Sequence, residues 1–218
     1  MRLTARKRKA KHKRRKRTIE NNTQICKENS ATGDLQSRVL ADGEVRCKRY
    51  KTLLLDPPWD VFQRGNYGAH KHYNLMSLKE IKALPIAELA EENAHCWLWV
   101  TNNTLRVGFD IMEEWGFPVK SVFTWIKLRM GLGNTLRSCT EHVLLGIRGK
   151  CPVKVKNQIN FGIFTPKCEH SHKPEEFHEI IQRVSPGPYL EMFARRRPSS
   201  PEWDVWGNEI DSDIVIPG

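Results

Sequence analysis

The chain is 218 residues long and 39 % hydrophobic, enough to bury one sizeable core, which excludes a wholly disordered polymer. It contains no apolar run of about 18 residues, so no membrane-spanning helix and no membrane partner are expected. Its formal net charge is +11, from 36 Lys and Arg against 25 Asp and Glu, which points to a polyanionic partner.

That charge is concentrated at one end. Eleven of the Lys and Arg lie between Met1 and Arg17, where there is no acid, and those that remain match the 25 acidic residues. The run Arg6-Lys7-Arg8-Lys9-Ala10-Lys11-His12-Lys13-Arg14-Arg15-Lys16-Arg17 repels itself, so residues 1–48 are expected to form a disordered tail and linker ahead of one domain over 49–218. The tail reads as a phosphate-binding arm driven by counterion release, or as a nuclear-localisation signal. The N-terminus has no apolar secretory stretch, and the six scattered cysteines include no C-x-x-C pair. The expected setting is therefore intracellular, the nucleus in a eukaryote and otherwise the cytoplasm. Cys168, His170 and His172 alternate, but without a second ligand pair no metal is expected.

In chain order, Thr52-Leu53-Leu54-Leu55 is a short apolar run stopped by Asp56-Pro57-Pro58-Trp59, which predicts a strand buried on both faces. Residues 60–71 read as a loop. Ser77 with Glu80 predicts a capping box at the start of a helix, and a second short helix is expected after Pro85. Ala94 to Val100 reads as a buried strand, Thr101-Asn102-Asn103 as a turn, and Thr104 to Trp115 as an amphipathic helix ended by Gly116 and Pro118. Val122 to Lys127 and Glu141 to Ile147 are strand-like on either side of a loop holding Gly131 and Gly133. Lys173 to Val184 predicts a helix with Glu175 and Glu176 in its first turn, where the dipole favours anions. Tyr189 to Phe193 and Trp203 to Trp206 complete the strands. Strands alternating with helices predict an open α/β sheet, whose ligands sit at the carboxyl ends of its strands.

Asp56-Pro57-Pro58-Trp59 carries the most chemistry. An exocyclic amine such as adenine N6 is a poor nucleophile, because its lone pair is delocalised into the ring. Acceptors that bond its two N–H groups turn that lone pair outward. The Asp56 carboxylate supplies one acceptor and a proline carbonyl, held by a fixed φ, the other. Trp59 offers a flat apolar surface for a base drawn out of its stack.

On these residues the chain resembles the MT-A70 family of N6-adenine methyltransferases, over about Thr52 to Asn208. Leu55 to Asp60 is similar to the catalytic motif, His72 to Ser77 to the segment after a substrate loop, and Trp97 to Asn102 and Glu141 to Gly149 to two strands. Ser171 to Glu175, Glu191 to Arg195, and Trp203 with Gly207-Asn208 resemble the cofactor half. The resemblance implies an α/β, Rossmann-like S-adenosylmethionine-dependent methyltransferase fold with a central, mostly parallel sheet and flanking helices. It also implies direct methyl transfer from S-adenosylmethionine. Asp56, Pro57, Pro58 and Trp59 would hold the amine. Lys173 would meet the cofactor's carboxylate, a role that suits a point charge just before a helix. Arg195 and Asn208 would contact its ribose, Phe193 would line the pocket, and Glu209 stands where relatives often carry glutamine. The chain also departs from some relatives in having Arg197-Pro198 where they carry an asparagine, and Asp42 is the candidate acid for the cofactor's adenine.

For substrate contacts the candidates are Arg64, Tyr67, His72 and Tyr73, where aromatics interleave with basic residues, together with Asn102 and Arg137. DNA is expected ahead of RNA, because the chain is short and shows no recognisable RNA-binding module. The alternatives are an RNA adenosine N6-methyltransferase and a non-catalytic nucleic-acid-binding subunit. Because members of this family pair, a homo- or heterodimer is a possible assembly.

Overall fold

The computed structural model describes residues 38–39, 45–46, 48–60, 75–128, 136–164 and 173–216. The chain divides into two units, residues 1–48 with 214–218, and residues 49–213. In the first, β1 (Arg38–Val39) pairs antiparallel with β2 (Val45–Arg46), within the span expected to be linker.

The second unit is built on a seven-stranded sheet. Its elements are β3 (Tyr50–Leu55), α1 (Leu78–Ala83), α2 (Ile86–Leu89), β4 (Ala90–Val100), α3 (Leu105–Glu114), β5 (Val119–Ile126), β6 (Thr140–Arg148), β7 (Phe161–Ile163), α4 (Glu176–Val184), β8 (Tyr189–Met192) and β9 (Trp203–Trp206). The strand order is β7-β5-β6-β4-β3-β8-β9. Strand β6 runs antiparallel to both of its neighbours, and every other pairing is parallel. This is the mostly parallel α/β arrangement that the sequence predicts.

Leu53, Leu54 and Leu55 are all buried because the sheet is covered on both faces. On one face Leu54, Trp97, Trp99, Phe123, Trp125, Val143 and Leu145 pack with Phe177, Ile180, Ile181 and Val184 of α4. Phe177 meets Trp99 at 4.9 Å and Trp97 edge-on at 5.7 Å. Each such aromatic pair adds about 0.5–1.5 kcal/mol beyond its buried area. On the other face α3 lies close to the sheet. A Cβ on its Gly108 would come within 2.7 Å of Val100, and one on Gly146 of β6 within 2.5 Å of Met112.

The capping box is present, with Ser77 and Glu80 bonding each other's backbone amides. Other boundaries differ from expectation for identifiable reasons. Helix α4 starts at Glu176 rather than Lys173, because Lys173 precedes Pro174 and the proline ring disfavours a helical conformation before it. Glu175 takes the N-cap position, and Glu176 and Glu179 are the acids of the first turn. Strand β8 stops at Met192 because Phe193 has φ 66°, outside the strand region. Strand β4 begins earlier than its apolar core, at Ala90. Strand β7 was not anticipated, since three residues centred on Gly162 carry no strand signal.

Midway along β4, His95 is fully buried, with Nδ1 2.7 Å from Ser185 Oγ and Nε2 2.7 Å from the Cys151 carbonyl. A carbonyl only accepts, so the proton belongs on Nε2 and Ser185 donates to Nδ1. Trp97 Nε1 donates to Ser185 Oγ at 2.9 Å, completing a buried relay that fastens β4 to the end of α4. Burial holds His95 below the ordinary imidazole pKa.

Candidate active site

The sheet register brings distant parts of the sequence to one edge. Leu55 is level with Leu98 of β4 and Met192 of β8, so Asp56 and Phe193 leave the sheet side by side. Strand β6 runs the other way and therefore begins at this edge, with Glu141 opposite Trp125 and His142 opposite Val100.

The Asp-Pro-Pro-Trp segment is held by backbone bonds. Trp59 N–H donates to the Pro57 carbonyl at 2.9 Å, Met76 N–H to the Pro58 carbonyl at 2.8 Å, and Asp60 N–H to the Met76 carbonyl at 3.0 Å. Trp59 is only 9 % exposed, and its Nε1 donates to the Trp99 carbonyl at 3.2 Å. The indole thus anchors the motif onto β4, where the sequence suggests an open stacking surface. Both proline carbonyls are oriented by these bonds, and each keeps a second lone pair.

Lys173 reaches Asp56 Oδ2 at 2.7 Å and Glu141 Oε2 at 3.5 Å, with its Nζ 5.1 Å from the centre of the Trp99 ring. Glu141 is also paired with Lys127, which lies 4.6 Å from the centre of the Trp125 ring. The result is a row of alternating charge, Asp56, Lys173, Glu141, Lys127, across the carboxyl edge. Burial alone would weaken Lys173's hold on its proton, but Asp56 and Glu141 outweigh it and raise the ammonium above the ordinary lysine value. Burial likewise works to raise Glu141, but Lys173 and Lys127 prevail and hold it below the ordinary carboxylate value.

The exit of β8 forms the other half of the site. Phe193 meets the Trp206 ring edge-on at 5.3 Å, and Ala194 N–H donates to the Trp206 carbonyl at 3.0 Å. Gly207 is pressed against Ala194, whose carbonyl oxygen would lie 2.0 Å from any Cβ placed there. That contact brings the turn carrying Asn208 and Glu209 to Arg195, whose Nε is 3.7 Å from Glu209 Oε1. Asn208 is exposed.

Sequence similarity identifies the family. The sequence model of the MT-A70 family matches residues 50–209. This chain belongs to the MT-A70 family. Its relatives include an N(6)-adenosine-methyltransferase MT-A70-like protein of Drosophila melanogaster, 30 % identical over 178 residues, covering 77 % of this chain and 28 % of that one. The N(6)-adenosine-methyltransferase catalytic subunit METTL3 of Homo sapiens is 28 % identical over 173 residues, 75 % of this chain and 28 % of that one. The type II methyltransferase M.MunI of a Mycoplasma species is 29 % identical over 193 residues, 78 % of this chain and 82 % of that one. The chain thus spans under a third of the length of the first two. MT-A70 methyltransferases use S-adenosylmethionine.

Of the residues named from sequence, Asp56, Pro57, Pro58, Trp59, Lys173, Phe193, Arg195, Asn208 and Glu209 gather at or beside this edge. Asn102 lies there too, with its side chain engaged. Its Nδ2 donates to Ser138 Oγ at 2.8 Å and its Oδ1 is 3.0 Å from His142 Nε2, which ties the β4 turn to the start of β6. Arg137 is exposed. Arg64, Tyr67, His72, Tyr73, Asp42, the basic tail, and Cys168, His170 and His172 lie outside the described residues. Among the described residues no group of three His, Cys, Asp or Glu could hold a metal, and no helix is long and apolar enough to cross a membrane.

Sequence reasoning did not single out Glu141 and Lys127. Their signal was available, since each flanks an apolar strand at an end that meets the carboxyl edge, but only once β6 is known to run antiparallel.

Proposed function

We propose that this chain transfers a methyl group from S-adenosylmethionine to the N6 amine of adenine in a nucleic acid, with DNA as the polymer. The observation that carries the reading is the meeting of Asp56 and Lys173 at the end of β3, beside two oriented proline carbonyls.

The residues suit the cofactor. S-adenosylmethionine has a carboxylate, an ammonium and a sulfonium group. A half-buried ammonium between two carboxylates offers partners for both signs, and Lys173 would take the cofactor's carboxylate. Arg195 and Asn208 would contact the ribose, Glu209 would join them in the cofactor site, and Phe193 would line the pocket. When bound, the cofactor supplies an electrophilic methyl group. The protein's own work falls on the amine. Lys173 engages Asp56 through Oδ2, and Oδ1 would accept one N–H of the base while a proline carbonyl accepts the other. With both N–H bonds directed into the motif, the nitrogen lone pair faces away from it. Arg64, Tyr67, His72, Tyr73, Asn102 and Arg137 would hold the surrounding nucleotides, and the basic tail the phosphates.

The DNA reading draws on M.MunI, 82 % of which is covered by the match and whose name specifies no adenosine. The relatives named as N(6)-adenosine methyltransferases favour RNA as the second reading. A dimer with a second copy or with a family relative is compatible with either. The test is transfer of labelled methyl to adenine-containing DNA and RNA oligonucleotides, single- and double-stranded. Incorporation into DNA above RNA is expected. Incorporation into RNA alone would select the second reading, and cofactor binding without transfer to any polymer would overturn catalysis by the chain alone.

A further inference from the structure

Three consecutive arginines follow β8. The run Arg195-Arg196-Arg197 lies just past the end of that strand. In the folded chain each turns to a different segment. Arg195 faces Glu209, Arg196 donates to the Lys173 carbonyl at 3.3 Å, and Arg197 grips the far end of the chain. Arg197 Nη1 and Nη2 meet Asp213 Oδ2 and Oδ1 at 2.8 and 2.9 Å, and Nη2 also donates to the Asp211 carbonyl at 2.9 Å. Asp213 is bound in turn to β9. Its N–H donates to the Val205 carbonyl at 2.8 Å, and its Oδ2 accepts the Val205 N–H at 2.9 Å. Between these points Ser212 Oγ closes the turn on Gly207 N–H at 3.1 Å and on the Gly207 carbonyl at 3.2 Å.

The turn so enclosed, residues 207–213, contains no buried residue. Its shape is therefore set by hydrogen bonds rather than by packing, and the fork of Arg197 is the anchor that ties it to the exit of β8. We propose that Arg197 is a positioning residue for cofactor binding: by locking Asp213 it fixes the turn that presents Asn208 and Glu209. This rests on the reading of the site given above. A planar fork that meets both oxygens of one carboxylate fixes orientation as well as distance, which lysine cannot do. The ion pair is largely in water, so it contributes little to global stability. Its effect falls on the ordering cost that cofactor binding must meet.

The experiment measures S-adenosylhomocysteine binding by calorimetry, and steady-state kinetics, on the full chain with Arg197→Ala, Arg197→Lys and Asp213→Asn. All three are expected to weaken binding by about tenfold, the lower end of what is lost when a partner that orients a metal ligand is removed. The Michaelis constant for the cofactor should rise in step. The turnover number, the nucleic-acid Michaelis constant and the melting temperature should stay near those of the wild type. Arg197→Lys keeps the charge, so its failure to restore affinity identifies the fork as the cause. Should Arg197→Ala not fold, Arg197→Lys and Asp213→Asn carry the same comparison. Wild-type affinity in the variants overturns the proposal, as does weakened nucleic-acid binding with cofactor affinity intact, which would make Arg197 a phosphate contact. A wild type that does not bind S-adenosylhomocysteine overturns the cofactor reading itself, and this proposal with it.

Discussion

Lys173 Nζ lies 2.7 Å from Asp56 Oδ2, although 117 positions separate the two residues. Asp56 leaves the end of β3 and Lys173 stands just before α4, so the contact exists only because both segments open on the same edge of the sheet. Asp56 thereby has its position set from two sides, by the strand behind it and by a half-buried ammonium in front.

Replacing Asp56 should separate chemistry from folding. In Asp56→Asn the side chain keeps its shape but loses its charge, and one amide edge now donates where the amine needs an acceptor. Lys173 retains Glu141, so no buried charge is stranded. Transfer is expected to fall at least about a hundredfold, the scale seen when one group stabilising a transition state is lost. The melting temperature should move by only a few degrees. Radiolabel incorporation and thermal denaturation check the two halves, and undiminished turnover would remove Asp56 from the mechanism.

The charged row predicts a pH profile. Glu141 titrates below its ordinary value of 4.5, so its contribution to stability is complete above that value and is lost as pH falls through the lowered one. Lys173 titrates above its ordinary 10.5, so its contribution is complete below that value and is lost as pH rises through the raised one. Between these limits Glu141 and Lys173 both keep their charge. Glu141→Gln should destabilise the fold by about 1–2 kcal/mol at neutral pH, and the gap from wild type should narrow as the solution is acidified. Urea midpoints measured from neutral to acid pH test this. A gap independent of pH would mean that the charge of Glu141 contributes nothing.

Much of this was legible in the sequence because it is local. The strand before Asp56 announces itself by a continuous apolar run, the capping box of α1 by Ser77 and Glu80, and α3 by its periodicity. What was not legible depends on which strands become neighbours. Glu141 becomes a site residue only because β6 is inserted antiparallel between β4 and β5, which places its first residues beside the last residues of the parallel strands. His95 shows the converse. It is a titratable side chain inside a strand, and its burial against Ser185 and Cys151 makes it structural. Arg197 is a third case, since an arginine run cannot reveal that one member is committed to an aspartate beyond the next strand.

The close approach of Gly207 to Ala194 makes a different prediction. In Gly207→Ala the new methyl would sit 2.0 Å from the Ala194 carbonyl oxygen and 2.9 Å from its nitrogen, and neither backbone atom can rotate away. The closing turn must then move off the exit of β8, which separates Asn208 and Glu209 from Arg195. Cofactor affinity should fall by about an order of magnitude or more, with a stability loss of roughly 1–3 kcal/mol from the overpacked contact. Calorimetry with S-adenosylhomocysteine measures the first and urea denaturation the second. A variant that loses stability but binds normally would show that Asn208 and Glu209 do not touch the cofactor.

Nucleic-acid affinity should reside largely in the first seventeen residues. They hold eleven Lys and Arg and no acid, while the rest of the chain is formally neutral. Each phosphate neutralised on duplex DNA contributes about −0.9 to the slope of log affinity against log salt, and about −0.7 on single strands. If roughly five of the eleven meet phosphates, deleting residues 1–17 should flatten the slope by about 4.5 units on a duplex. Turnover at saturating nucleic acid should persist, because Asp56, Lys173 and Glu141 belong to the unit formed by residues 49–213. Fluorescence anisotropy across a salt series, paired with transfer assays at high oligonucleotide concentration, separates the two effects. An unchanged slope would place the phosphate contacts on the neutral body, where they would have to come from local clusters such as Arg64, His70 and His72 rather than from overall charge.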